Sequence, residues 1–155
     1  MDPDRQKLIE RARELNTSEF PVIELQERIR EVCFEYLIEA KVDVDHLLGH
    51  EDWRVRSSAL DMVWWRVGAT DGIAASIEIL MHDPDEDVRA EAALALYEAA
   101  RGTPKETQVR EAFRRVSAAA EAPEYLRAAA LTYLGKLDHP SGQRRVGPGV
   151  GPVSE

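Results

Sequence analysis

Asp52-Trp53-Arg54-Val55-Arg56-Ser57-Ser58-Ala59-Leu60 recurs 33 residues later as Asp85-Glu86-Asp87-Val88-Arg89-Ala90-Glu91-Ala92-Ala93. A third copy follows after 38 more residues, as Pro123-Glu124-Tyr125-Leu126-Arg127-Ala128-Ala129-Ala130-Leu131. Each copy has an aliphatic residue, then Arg, then Ala three positions after the Arg. A shorter amphipathic stretch precedes each one: Val42 to Leu48, Ile73 to Met81 and Val109 to Ala119. The unit is helix, acidic turn, helix. A period of this length marks a stacked-repeat architecture, in which no single unit can bury its own apolar face.

The middle copy, Asp83-Pro84-Asp85-Glu86-Asp87-Val88-Arg89-Ala90-Glu91-Ala92-Ala93-Leu94-Ala95-Leu96, resembles the second helix of a HEAT repeat, of the short bacterial kind first noted in phycobilin lyases. The resemblance runs from about Val42 to Leu137 and weakens in the third copy, where Pro123 replaces the acidic turn residue. It implies an all-α fold: a short right-handed α-solenoid of HEAT-like helix pairs with N-terminal capping helices. Residues 1–40 lack the motif and are expected to be those capping helices. Residues 41–137 would form about three helix pairs, and residues 138–155 a flexible tail rich in Gly and Pro. HEAT repeats imply a binding surface more often than a catalytic one. The lyase activity is not carried over, because a repeat motif does not hold that chemistry.

The flanking sequence agrees with an all-helical chain. There is no sustained period-2 alternation and no Asn-Gly or Asp-Gly hairpin turn. Asp2-Pro3 is a cap followed by proline at the first helical position, which predicts a helix to about Leu15. Val22, Leu25, Ile29, Cys33, Tyr36 and Leu37 recur at the 3.6-residue period, which predicts a helix over Val22 to Ala40. Cys33, the one cysteine, excludes an internal disulfide. Asn16-Thr17-Ser18 fits a glycosylation acceptor, but it carries no weight without secretion. The charged N-terminus has no signal-peptide core, and no window approaches the 18 apolar residues of a membrane span, so the expected location is cytoplasmic.

Charge narrows the class of partner. Of 155 residues, 44% are apolar and 32% charged, with 20 Lys and Arg against 29 Asp and Glu, for a net charge of -9. That balance disfavours nucleic acid and anionic membrane as partners. Residues 41–101 carry 6 basic and 13 acidic side chains, whereas residues 102–155 carry 8 and 6. A charge-steered partner should therefore meet the middle of the chain and be basic there.

On a helical wheel the second helix of the first unit is apolar on two sides: Val55, Ala59 and Met62 form one stripe, Trp53, Leu60 and Trp64 the other. The strip left for a partner is Arg54, Ser58, Asp61 and Trp65. It continues as Asp87, Glu91, Leu94 and Glu98 in the second unit, and as Tyr125, Ala129, Thr132 and Lys136 in the third. Trp65 stands where the other units carry Glu98 and Lys136. It is either an interface anchor, a role in which Trp is enriched, or a cover over the end of the core beside Trp64. Trp53 is expected to pack. Arg56, Arg89 and Arg127 recur in register and are expected to form a structural ladder, each paired with an acidic residue of a neighbouring turn; a phosphate-binding ladder is the alternative.

No constellation supports catalysis. Asp83, Asp85 and Asp87 imitate the start of an EF-hand loop, but Val88 and Leu94 occupy the positions that need Gly and Glu. They suit a helix start, where they cap free N–H groups. His46 and His50 have a zinc-compatible spacing, broken by Gly49 at a helix end. There is no nucleophile elbow and no phosphate loop. No enzyme, metal or cofactor is expected.

The expected function is a non-enzymatic protein-binding module with an acidic concave face and an exposed Trp. In its most concrete form it is an inhibitor or immunity protein that masks a basic, toxin-like partner. The alternative is an adaptor or regulatory subunit. A HEAT-like nucleic-acid-binding or DNA-glycosylase-type protein would need a basic strip, and only Arg110, Arg114 and Arg115 cluster, on a first helix.

Overall fold

The computed structural model describes residues 2–15, 20–31, 42–65 and 72–139, with the backbone alone for Glu31 and Trp65. Among them are eight α-helices and no strand: α1 (Pro3–Glu14), α2 (Val22–Glu31), α3 (Val44–Leu48), α4 (Trp53–Trp65), α5 (Ile73–His82), α6 (Glu86–Ala100), α7 (Glu106–Ala118) and α8 (Glu124–Asp138). Cys33, the Asn16-Thr17-Ser18 triplet, the second half of the helix expected over Val22 to Ala40, and the tail from Pro140 lie outside the described residues.

The helices stack in two layers. α4 packs on α6 and α6 on α8, while α3 packs on α5 and α5 on α7. Within each unit the short outer helix packs on its longer inner partner, α3 on α4, α5 on α6 and α7 on α8. This is a short α-solenoid. α2 lies against α4 in the inner layer, and α1 lies against α2.

The repeated Ala and aliphatic positions of the motif become the core. Val55 and Ala59, Val88 and Ala92, and Leu126 and Ala130 are all completely buried. The small Ala lets neighbouring helices approach, and Phe113, Leu96 and Met62 fill the space between layers. The acidic turns cap the inner helices. Asp52 Oδ1 accepts from the Arg54 N–H at 2.9 Å, and Asp85 Oδ1 accepts from the N–H groups of Asp87 and Val88, each at 3.0 Å. Asp2 caps α1 ahead of Pro3, and Asp43 caps α3.

The arginine ladder is graded. Arg56 donates Nε to Asp83 Oδ2 at 2.7 Å and a terminal N–H to Asp83 Oδ1 at 3.0 Å, and also donates to the carbonyls of His50 and Glu51. This links the first unit to the turn of the second, as a structural ladder requires. Arg89 departs from the expectation. It donates Nε to the Leu80 carbonyl at 2.8 Å, and no carboxylate pairs with it among the described residues. Arg127 departs further, since its buried Nε has no hydrogen-bond partner there. For Arg89 the cause lies in the third unit. α7 has 13 residues where α5 has 10, and residues 119–123 form a longer turn than residues 83–85. Glu121, which matches Asp83 in the motif register, is exposed on that longer turn.

Candidate functional site

The inner helices bring part of the predicted strip together in a cleft between α4 and α6. Leu60, Asp61 and Trp64 line it from α4; Glu91, Leu94 and Ala95 line it from α6. Its volume is about 140 Å³. Leu60 and Ala95 are buried and Trp64 is half-buried, so the cleft has an apolar floor. The carboxylates of Asp61 and Glu91 stand on its rim, and neither pairs with Lys or Arg among the described residues. Ser57 donates its hydroxyl to Glu91 Oε2 across the unit boundary.

This setting changes the carboxylates. Burial against the apolar wall pushes the Asp61 carboxyl above the usual range. Burial also pushes Glu91 up; the Ser57 hydrogen bond opposes that, and the negative charges of Asp61, Asp85 and Asp87 add to it. Two partly desolvated acids with no Lys or Arg partner among the described residues form a place that gains from an incoming positive charge.

The other predicted residues are not part of the cleft lining and are in different states. Arg54 forks onto Asp52, with Nε to Oδ1 at 3.0 Å and a terminal nitrogen to Oδ2 at 2.9 Å. The Arg54 hydrogen bonds hold the Asp52 carboxyl down at about 2. Ser58 donates to the Arg54 carbonyl at 2.9 Å, so its hydroxyl is used within its own helix. Asp87 is exposed at the start of α6. Tyr125 is exposed, and burial followed by the charges of Glu86 and Asp87 raises its hydroxyl. Glu98 is half-buried and pairs with Arg101 at 3.2 Å. Lys136 extends its ammonium over the rings of Tyr97 and Tyr133, 5.7 Å from each. The side chain of Trp65 lies outside the described residues, although its backbone closes α4.

Sequence reasoning missed three features here. Trp64 was placed in a packing stripe, yet it also forms a wall of the cleft. Ser57 reads as ordinary helix surface, yet it orients Glu91. Tyr97 and Tyr133 stack with centroids 5.0 Å apart and extend the face beyond Glu98. A Tyr on each of two inner helices was the available signal, but their contact depends on inter-helix geometry. Trp53, expected to pack, is 50% exposed at the first turn of α4. His50 accepts the Asp52 N–H on Nδ1 at 3.0 Å. No group of three His, Cys, Asp or Glu among the described residues could hold a metal ion.

Residues 44–112 match the family pattern of HEAT repeats, from the start of α3 to the middle of α7. This stretch is a run of HEAT-like repeats. No curated protein and no solved structure matches it. HEAT repeats suggest a protein-interaction or scaffold module. The matched stretch contains the whole α4–α6 cleft, so the candidate site belongs to the repeats themselves. No described helix is long and apolar enough to cross a membrane.

Proposed function

We propose that this HEAT-like protein is a non-enzymatic binding module that takes a basic segment of a partner protein across the α4–α6 cleft. An Arg or Lys of the partner would place its charge between Asp61 and Glu91 and rest its aliphatic stem on Leu60, Trp64 and Leu94. The observation that carries this reading is the pair of partly desolvated, cation-free carboxylates above an apolar floor. In this reading the partner's contact continues from the cleft along α4 through Arg54, Ser58 and Trp65, along α6 through Asp87 and Glu98, and onto α8 through Tyr125 and Lys136. In its most specific form the module is an inhibitor that masks a basic, toxin-like protein, as an immunity protein does. The charge of -9, concentrated in residues 41–101, supports fast, salt-sensitive capture of such a partner.

Asp61→Lys with Glu91→Lys tests the reading. Bait protein is used to capture partners from lysate at low and high salt, and the retained protein is then titrated against wild type and variant. A basic protein held by wild type, released by salt and lost with the double variant supports the proposal. A partner that binds the double variant as tightly as wild type overturns it.

A further inference from the structure

The α4–α6 and α6–α8 junctions are two copies of one contact, and the repeat register matches them position by position. Trp64 on α4 corresponds to Tyr97 on α6, and Ala95 on α6 corresponds to Tyr133 on α8. At the second junction this pair is filled: the rings of Tyr97 and Tyr133 stack with centroids 5.0 Å apart and planes inclined by 20°. At the first junction a methyl group stands where Tyr133 brings a ring, and Trp64 and Ala95 line the open cleft of about 140 Å³. The rim changes at the same place. The counterparts of Ser57, Asp61 and Glu91 at the second junction are Ala90, Leu94 and Ala129. The junction with the ring in place therefore has no carboxylate at the positions where the open one has two.

We infer that the cleft is shaped for the guanidinium of an arginine and selects it over the ammonium of a lysine. The inference rests on the reading of the α4–α6 cleft as the place that takes a partner's basic segment, and adds which cation that segment presents. A flat group is what the fold itself puts between these helices one unit further on. Of the two basic side chains that stay charged at neutral pH, only arginine ends in a flat cation. Its plane would lie where the Tyr133 ring lies at the next junction, against the Trp64 indole and over the Ala95 methyl. Its N–H groups radiate in that plane, which suits two acceptors on the rim. Ser57 donates to Glu91 Oε2, which leaves Oε1 to accept from the guanidinium. A lysine ammonium meets the same charges, but it is compact and strongly hydrated. It fills less of the slot and loses more water over an apolar floor.

Three peptides test the inference on the full chain: an acetylated and amidated Gly-Arg-Gly, its lysine counterpart, and its citrulline counterpart, which keeps the flat shape without the charge. Each is titrated into isotope-labelled protein while the Trp64 indole N–H resonance, assigned by its loss in Trp64→Phe, is followed by NMR. The arginine peptide should move that resonance at millimolar concentration, the range a single side chain supplies. It should bind at least about fivefold tighter than the lysine peptide, which is the worth of one cation–π contact. The citrulline peptide should leave the resonance in place. Ala95→Tyr, which builds at the first junction the pair seen at the second, should keep the helical circular dichroism and lose the arginine response. Equal binding of the arginine and lysine peptides, abolished for both by Asp61→Lys with Glu91→Lys, overturns the guanidinium selection and leaves the basic-segment reading standing. Folded Ala95→Tyr that binds the arginine peptide as wild type does also overturns it, because the group then sits elsewhere. So does a protein that responds to neither basic peptide; the basic-segment reading falls with it only if the captured partner also ignores Asp61→Lys with Glu91→Lys.

Discussion

Removing the Asp83 side chain tests whether the first two units are held together by charge as well as by apolar burial. The side chains of Arg56 and Asp83 are 10% and 3% exposed, and two hydrogen bonds of 2.7 and 3.0 Å join them. Asp83 also accepts the Asp85 N–H at 2.9 Å, at the start of α6. In Asp83→Ala the guanidinium keeps the His50 and Glu51 carbonyls but loses its only carboxylate among the described residues. Breaking one side of a buried pair costs about 3–5 kcal/mol, most of it the uncompensated charge left behind. At about 2–4 °C per kcal/mol for a chain of this size, the melting temperature should fall by roughly 6–20 °C. Urea unfolding followed by circular dichroism gives the free energy directly. Because stability in a stacked-repeat fold is partly a sum of unit interfaces, the transition should also broaden or split. Arg56→Met with Asp83→Leu supplies the control. Removing both charges together should recover all but about 1–2 kcal/mol, since the bare charge is gone. The reasoning fails if Asp83→Ala costs less than about 1 kcal/mol, or if the double variant is as unstable as the single one.

Three other perturbations follow from the same structure. Arg127→Met, in register with Arg56, should change stability by less than about 1 kcal/mol in the same urea assay, because the buried Nε it removes makes no hydrogen bond. Asp61→Asn and Glu91→Gln should leave the protein equally or more stable at pH 7. Their folded-state carboxyls titrate above the usual range, so the folded state binds protons more readily than the unfolded chain and gains stability as pH falls through that interval. The advantage of the amides should therefore vanish near pH 4, which melting curves at both pH values would show. Gly72→Ala should cost about 1–3 kcal/mol by thermal melting, because φ is +81° there and the new Cβ would lie 2.8 Å from Val63 Cγ2.

The fold was legible because its governing signal is local and repeated. Val55, Val88 and Leu126, with the Ala four residues after each, sit on one helix face, and burying that face is what stacks the units. The acidic turns were equally legible, since an Asp before a helix has one dominant use. The cleft was legible only in outline. Asp61 and Glu91 could be placed on one strip, but the distance between neighbouring inner helices decides that Trp64 and Ala95 join them and that Ser57 reaches Glu91. Trp53 was misplaced for a related reason. A wheel assigns it to the stripe of Leu60 and Trp64, but it cannot show how far along that stripe the neighbouring elements reach, and Trp53 is 50% exposed.

The arginines show where a repeat motif stops informing. Arg56, Arg89 and Arg127 are one letter in one register, yet the first has a carboxylate and two carbonyls, the second a single Nε bond to a carbonyl, and the third an Nε with nothing. The difference is not in the motif. It comes from the length of what lies between motifs: the longer α7 and its longer turn put Glu121 in solvent instead of against Arg89. Insertions that leave every core position in phase can thus remove the polar link between two units while their apolar contact survives. The junction between the second and third units then rests on apolar helix packing, with the Tyr97–Tyr133 stack across it. It should be less sensitive to charge substitution than the junction at Asp83, and more sensitive to any change that separates α6 from α8.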